Sequence, residues 1–163
     1  MGNGSKLRRS AAVILGWGLS LVGGMVAAEE CRSGSVSLKG DWGSARFSVE
    51  VADDPAEQAQ GLMHRASMPM GAGMYFVNER PRSTSFWMRN TLIPLDMLFI
   101  DAQGVVKHIH HNAIPLDETP IPGGGDILTV LEINGGLAAR LGIKVGSFVR
   151  HPAHQSYTPA WPC

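Results

Sequence analysis

Residues 86–101 read FWMRNTLIPLDMLFID, and how this stretch is read decides the fold. After Pro94, the run Leu95–Ile100 is apolar on both faces except for Asp96. It is too short for a buried helix and carries the signature of a fully covered strand. The turn residues Asp101 to Gly104 follow, so this strand is predicted to pair antiparallel with Val105 to His111. A charged or amide group in such surroundings must find a partner or a ligand, because leaving it buried and unpaired costs about 1–3 kcal/mol. Arg89, Asn90 and Asp96 therefore mark either an internal polar network or a binding site.

Working outward, Ala45 to Val51 alternates apolar and polar residues, the pattern of a half-buried strand. Asp54, Pro55 and Glu57 then form a helix start, with Asp54 as N-cap, Pro55 in the first position and Glu57 completing a capping box. That helix is predicted to run to about Arg65, with Ala56, Ala59, Leu62 and Met63 on its apolar face. Short strands are expected over Met74–Val77 and Thr84–Met88, separated by a loop from Asn78 to Ser83. Residues 112–126, with three prolines and a triple glycine, read as one long loop before a buried strand over Ile127–Asn134. Gly135 and Gly136 lead into a short helix ending near Gly142, Ser147–Arg150 forms a last strand, and an extended Pro-rich tail closes the chain. The expected fold is mainly β (α+β by strict count): a small single-domain barrel or rolled antiparallel sheet with two short helices.

The first residues read as an export signal. Lys6, Arg8 and Arg9 precede an apolar run from Ala11 to Ala28 that ends in small residues suited to cleavage after Ala28. The chain then divides into a signal peptide over 1–28, an N-terminal arm over 29–44, a β-rich domain over 45–150 and the tail over 151–163. Removing 28 of the 163 residues leaves 135, enough for one domain that buries roughly two-thirds of its unfolded surface. The leader carries three of the fourteen basic residues and no acidic ones, so the mature chain has eleven against fourteen, a net charge of −3. This balance and the lack of a basic cluster argue against nucleic acid as a partner. A periplasmic or secreted location with no stable membrane span after cleavage is expected. It suits Cys31 and Cys163, predicted to form a disulfide. Closing a loop of that length stabilises by about 4–5 kcal/mol before strain.

The strings GLMHR (61–65), GMYF (73–76), FWMRNTLIPLDMLFID (86–101) and VLEINGG (130–136) resemble, in this order, the domain-of-unknown-function 192 family of conserved, often exported prokaryotic proteins. The resemblance spans roughly residues 45–150 and implies a compact, mostly β single domain. It implies no established activity and no catalytic residues.

Three residue groups could carry chemistry. Asp96 shares a strand face with Leu98 and Ile100, and Glu132 shares one with Leu128 and Val130, so each carboxylate points into apolar surroundings and needs a cation or a donor. Arg65, Trp87, Asn90, Asp96 and Glu132 are the expected ligand-binding set. Arg65 would hold an anionic group, Trp87 would stack, and Asn90 with Asp96 would bond hydroxyls or amines of a small polar molecule. Alternatively, the acids belong to a structural network, or act as an acid–base pair for hydrolysis across a cleft. The methionines at 63, 68, 70, 74, 88 and 97 read as core packing, with Met68 and Met70 alone placed for Cu(I). His108 and His110 lie about 7 Å apart on one strand face, a spacing that admits copper or zinc if His151 or His154 adds a third ligand. There is no GxSxG, HExxH, CxxC or phosphate loop, so a cofactor-dependent enzyme is not expected. The functional expectation is a binding module of the cell envelope, for a small polar ligand or a partner protein, with metal binding and hydrolysis as alternatives.

Overall fold

The computed structural model describes residues 1–2 and 31–163. Beyond its first two residues, the expected signal peptide lies outside the described residues. Seven strands form one sheet: β1 (Ser35–Gly40), β2 (Gly43–Ala52), β3 (Ala72–Phe86), β4 (Leu95–Asp101), β5 (Val106–Ala113), β6 (Ile121–Asn134) and β7 (Phe148–Arg150). Their order across the sheet is β5-β4-β6-β3-β2-β1-β7. The sheet curls into a half-barrel whose edges meet at a bridge between Val105 and Phe148, with backbone hydrogen bonds from Val106 to Ser147 and from Val149 to Gly104 beside it. Among the described residues three short helices decorate it: α1 (Pro55–Gln60), α2 (Leu137–Leu141) and a 3₁₀ helix over Pro152–Tyr157. Among the described residues no helix is long and apolar enough to cross a membrane.

The mainly β expectation holds, and the β4–β5 hairpin pairs antiparallel as read. Five local features differ. Residues 35–40, inside the stretch read as an arm, form β1 between β2 and β7, with Val36 and Leu38 buried. The β2–β3 pair is parallel, because α1 carries the chain back across the sheet between them. α1 stops at Gln60 rather than Arg65: Gly61 adopts a φ of +48° and His64 a φ of +63°, which no helix accommodates. Its start is as expected, since the Asp54 carboxylate accepts from the amides of Ala56 and Glu57. The expected loops at 78–83 and in the second half of 112–126 are instead bulged extensions of β3 and β6 that pair with each other. The glycines serve that pairing: a Cβ on Gly123 would lie 2.0 Å from the Phe99 ring, so only glycine lets β6 pass over it. The tail is not extended throughout, since its 3₁₀ helix sends His154 into the interior.

Alternation splits the core in two. Tyr75, Leu98, Leu131, Ile133 and residues from every other strand fill the concave face. Met74, Phe76, Met97, Phe99 and Val130 point the other way and pack under Leu62, Met88 and Ile93. On the concave side, His154 Nδ1 donates to the Ala102 carbonyl at 3.2 Å, so its Nε2 accepts from the Tyr75 hydroxyl at 2.8 Å, whose oxygen in turn faces the Thr129 hydroxyl at 2.9 Å. Burial depresses the His154 pKa to about 4 and lifts the Tyr75 hydroxyl well above its ordinary range. Cys31 and Cys163 form the expected disulfide, joining the start of the described domain to the tail.

Candidate functional site

The face opposite the curl carries a recess. Its floor comes from β3 and β6, one wall from α1 and the Gly61–Met63 segment, and the other from the chain between Phe86 and Thr91. The bulged extensions of β3 and β6 complete the rim. Gln58 ties α1 down by donating to the Val77 carbonyl at 2.8 Å. Together these enclose a cavity of about 500 Å³, a volume in the range of small-molecule sites.

Glu132 lies at the floor. Register places it between Met74 on β3 and Met97 on β4, so its carboxyl is flanked on both sides by thioether side chains. It is 4% exposed and lines the cavity. It forms no hydrogen bond or ion pair among the described residues, and its oxygens are reached from the cavity. Burial pushes its pKa up to about 8, so the acid is mainly protonated at neutral pH.

Cations and rings surround the opening. Arg82 Nε donates to the Asn78 carboxamide at 2.9 Å, while Asn78 donates to the Ile127 carbonyl at 3.0 Å. The extended strand pair thereby fixes the base of the Arg82 guanidinium. Arg89 stacks over the Trp87 ring at 5.6 Å and reaches Glu118 at 4.0 Å, a long and exposed pair of little energetic weight. Trp87 is 48% exposed. Phe76 and Phe86 meet edge to face at 4.9 Å and line the same cavity.

The five expected site residues separate. Trp87 and Glu132 share this cavity. Asp96 does not reach it: it pairs with Ile133 across β6 whereas Glu132 pairs with Met97, so the two acids leave the sheet on opposite faces. Asp96 is instead fully engaged. Its Oδ1 accepts from the amides of Asn112 at 2.7 Å and Gly136 at 2.9 Å, and its Oδ2 from Ala138 at 2.7 Å. It caps α2 from a neighbouring strand, where Gly136 supplies no side-chain cap. The hydrolase arrangement needs both acids on one cleft, and this geometry does not provide it. Arg65 makes a bidentate pair with Glu50 beside a shallower groove of about 240 Å³, and that contact holds the Glu50 carboxyl below its usual range. Asn90 occupies a turn with φ of +53°, a conformation asparagine tolerates; its carbonyl accepts from His64 N at 2.8 Å and its amide faces the Met63 sulfur.

His108 and His110 pair with Phe99 and Met97, which puts them on the opposite sheet face from the concave side that receives His154. His108 stacks on Phe99 at 5.6 Å, and His151 is engaged by the Ser33 carbonyl and the Ala153 amide. Among the described residues no three His, Cys, Asp or Glu side chains converge as metal ligands. Met68 packs against the second core, and Met70 is exposed. Arg82, Asn78, Phe76 and Phe86 were not among the expected site residues. The bulges at Val77, Arg82 and Thr84 break the period-two pattern that would have placed them together.

Fold and recess together define a small curled β module with a walled cavity on the outer sheet face. A family model, DUF192, described as "Uncharacterized ACR", matches residues 36–151, and the chain belongs to that family. A crystal structure of a protein of unknown function from Novosphingobium aromaticivorans DSM 12444 is similar at 50% identity and a TM-score of 0.69, covering 71% of this chain and 82% of that one. A Sinorhizobium meliloti 1021 protein, described as a candidate transcription regulator, is similar at 40% identity and a TM-score of 0.69, covering 71% of this chain and 90% of that one. No curated protein matches the chain.

Proposed function

We propose that the protein is an exported binding module of the cell envelope that takes a small polar molecule into the cavity floored by Glu132 and walled by Trp87. One observation carries this reading: a buried carboxyl faces an open volume of about 500 Å³ with no partner of its own. A structural acid is normally satisfied by the fold, as Asp96 is by three backbone amides. Glu132 has room for a donor that a guest would bring. The rings of Phe76, Phe86 and Trp87 supply apolar walls, and a few convergent polar groups give orientation. Export is supported by the basic and apolar start of the chain and by the disulfide. The regulator description of the Sinorhizobium relative is not carried over, since the mature chain would be mildly acidic.

The test is NMR titration of the ¹⁵N-labelled mature protein, with the Trp87 indole N–H assigned through Trp87→Phe. Sugars, amino acids and polyamines are added separately. A saturable Trp87 shift with a dissociation constant near or below about 1 mM, corresponding to about −4 kcal/mol, supports the reading. No shift from any class refutes it. N-terminal sequencing of protein from the envelope fraction checks export, with Glu29 expected and Met1 contradicting it.

A further inference from the structure

The cavity joins opposite charges at different depths. Glu132 is at the floor and 4% exposed, while Arg82 and Arg89 stand at the exposed rim. Acid and guanidinium groups share one volume yet form no ion pair with each other. Arg82 is held through Nε by Asn78, and the only ion pair of Arg89 among the described residues is the 4.0 Å contact with Glu118. Both guanidinium groups thus keep donors for a guest. A molecule that satisfied every one of these groups would carry a donor-rich cation at its buried end and an acceptor-rich anion at its outer end.

We propose that the cavity binds a free amino acid or similar amino carboxylate, with the ammonium on Glu132 and the carboxylate on Arg89 and Arg82. This rests on the cavity being the binding site, as proposed above. Three features favour this class over a sugar. An ammonium group gives Glu132 three donors and a full charge, whereas a hydroxyl gives one donor. Phe76, Phe86 and Trp87 line the same cavity as the acid, and aromatic walls suit an organic cation better than a sugar hydroxyl. The rim arginines offer the planar fork that matches a carboxylate, a group sugars lack. The volume of about 500 Å³ accommodates an amino acid with a large side chain.

Binding also has a proton consequence. Glu132 holds its proton at neutral pH, and an arriving ammonium favours the ionised carboxylate. The carboxyl proton then leaves to solvent, close to one per guest at pH 7, and the ligand's own charges are unchanged.

The experiment is isothermal titration calorimetry of the full mature chain at pH 7 in phosphate and in Tris, run alongside the Trp87 shift. The probes are the common amino acids singly, then the N-acetyl and amide derivatives of the best one, and glucose. Several outcomes support the proposal together. An amino acid binds, and its N-acetyl form, without the ammonium, is weakened at least about tenfold; so is its amide form, without the carboxylate. Glu132→Gln weakens the amino acid by a similar factor, and the observed heat differs between the two buffers by close to one proton. Glu132→Gln is nearly isosteric with the protonated acid and so keeps the fold; exposed Arg89→Ala gives a second variant, also expected to lose about tenfold. Equal binding of the N-acetyl form, or no effect of Glu132→Gln, overturns the proposal. Glucose shifting Trp87 while no amino acid does overturns it too, and leaves the cavity reading intact. Silence at Trp87 with every probe, polyamines and further sugars included, rejects both.

Discussion

Replacing Asp96 by alanine isolates the structural half of the polar pattern from the half proposed to bind a guest. In the fold, this carboxylate is fully buried and accepts three backbone N–H bonds of 2.7–2.9 Å from Asn112, Gly136 and Ala138. Hydrogen bonds to a charged acceptor contribute about 1.5–3 kcal/mol each, and partial relaxation lowers the sum. Leaving three amides without an acceptor is therefore expected to cost about 3–5 kcal/mol, a large share of a total near 5–15 kcal/mol. The melting temperature should fall by roughly 10–20 °C. Asp96→Asn keeps one acceptor oxygen but turns an NH₂ group toward an amide donor, so it should fall in between. Urea denaturation followed by circular dichroism reads the loss as a lower midpoint at unchanged slope. Because Asp96 and Glu132 leave opposite faces, the Trp87 indole resonance and any guest affinity should be preserved below the melting point. A loss under about 1 kcal/mol would refute the capping role. Guest affinity that collapsed while stability held would show instead that Asp96 serves the site.

Three further outcomes can be measured with the same assays. The folded pKa of His154 is about 4, below the ordinary 6.5, so its contribution is full above pH 6.5 and is lost, by about 3 kcal/mol, as the pH falls to 4. Glu132 has the opposite sign: with a folded value of about 8 against 4.5, its contribution is full below pH 4.5 and is lost, by about 4–5 kcal/mol, as the pH rises to 8. Glu132 and His154 together leave stability nearly flat between pH 4.5 and 6.5, burial of His151, which also lowers its pKa, adds a rise toward pH 6.5, and stability declines above it; Glu132→Gln should abolish the decline and leave a rise from pH 4 to 6.5, and a decline that persists in this variant contradicts the assignment. Reducing the Cys31–Cys163 bond should lower stability by up to about 4–5 kcal/mol, since it closes a separation of 132 residues, and denaturation with and without reductant checks this. Gly123→Ala should cost about 1–3 kcal/mol because its Cβ would overlap the Phe99 ring, a loss that the smaller side chain of Phe99→Leu in the same protein should partly restore.

Much of this fold was legible because its central elements obey simple periods. The strand over Leu95–Ile100, its hairpin partner and the Asp54–Pro55 helix start follow from pattern and capping chemistry alone. The twin strands 72–86 and 121–134 were not, because bulges shift their register and a run of glycines imitates a loop until Phe99 is seen beneath it. Sequence reasoning found that buried acids must be compensated, but a linear sequence does not say by what. Asp96 is satisfied by amides some 16 to 42 positions away, and Glu132 by nothing among the described residues. Their difference depends on which face of one sheet each leaves, and that follows from the β4–β6 register rather than from either residue. Arg65 and Asn90 were set apart from the cavity by local contacts, an ion pair with Glu50 and a left-handed turn.

The most direct measurement is a pH titration of the Glu132 carboxyl carbon by ¹³C NMR in protein labelled at glutamate, assigned by its disappearance in Glu132→Gln. A carboxyl that lies in an open recess without a partner should titrate near pH 8 in the free protein, and its midpoint should fall when a guest ammonium is bound. A midpoint near the ordinary 4.5 in the free protein would mean that this acid is already solvated or paired, and the cavity would lose the feature on which the binding proposal rests.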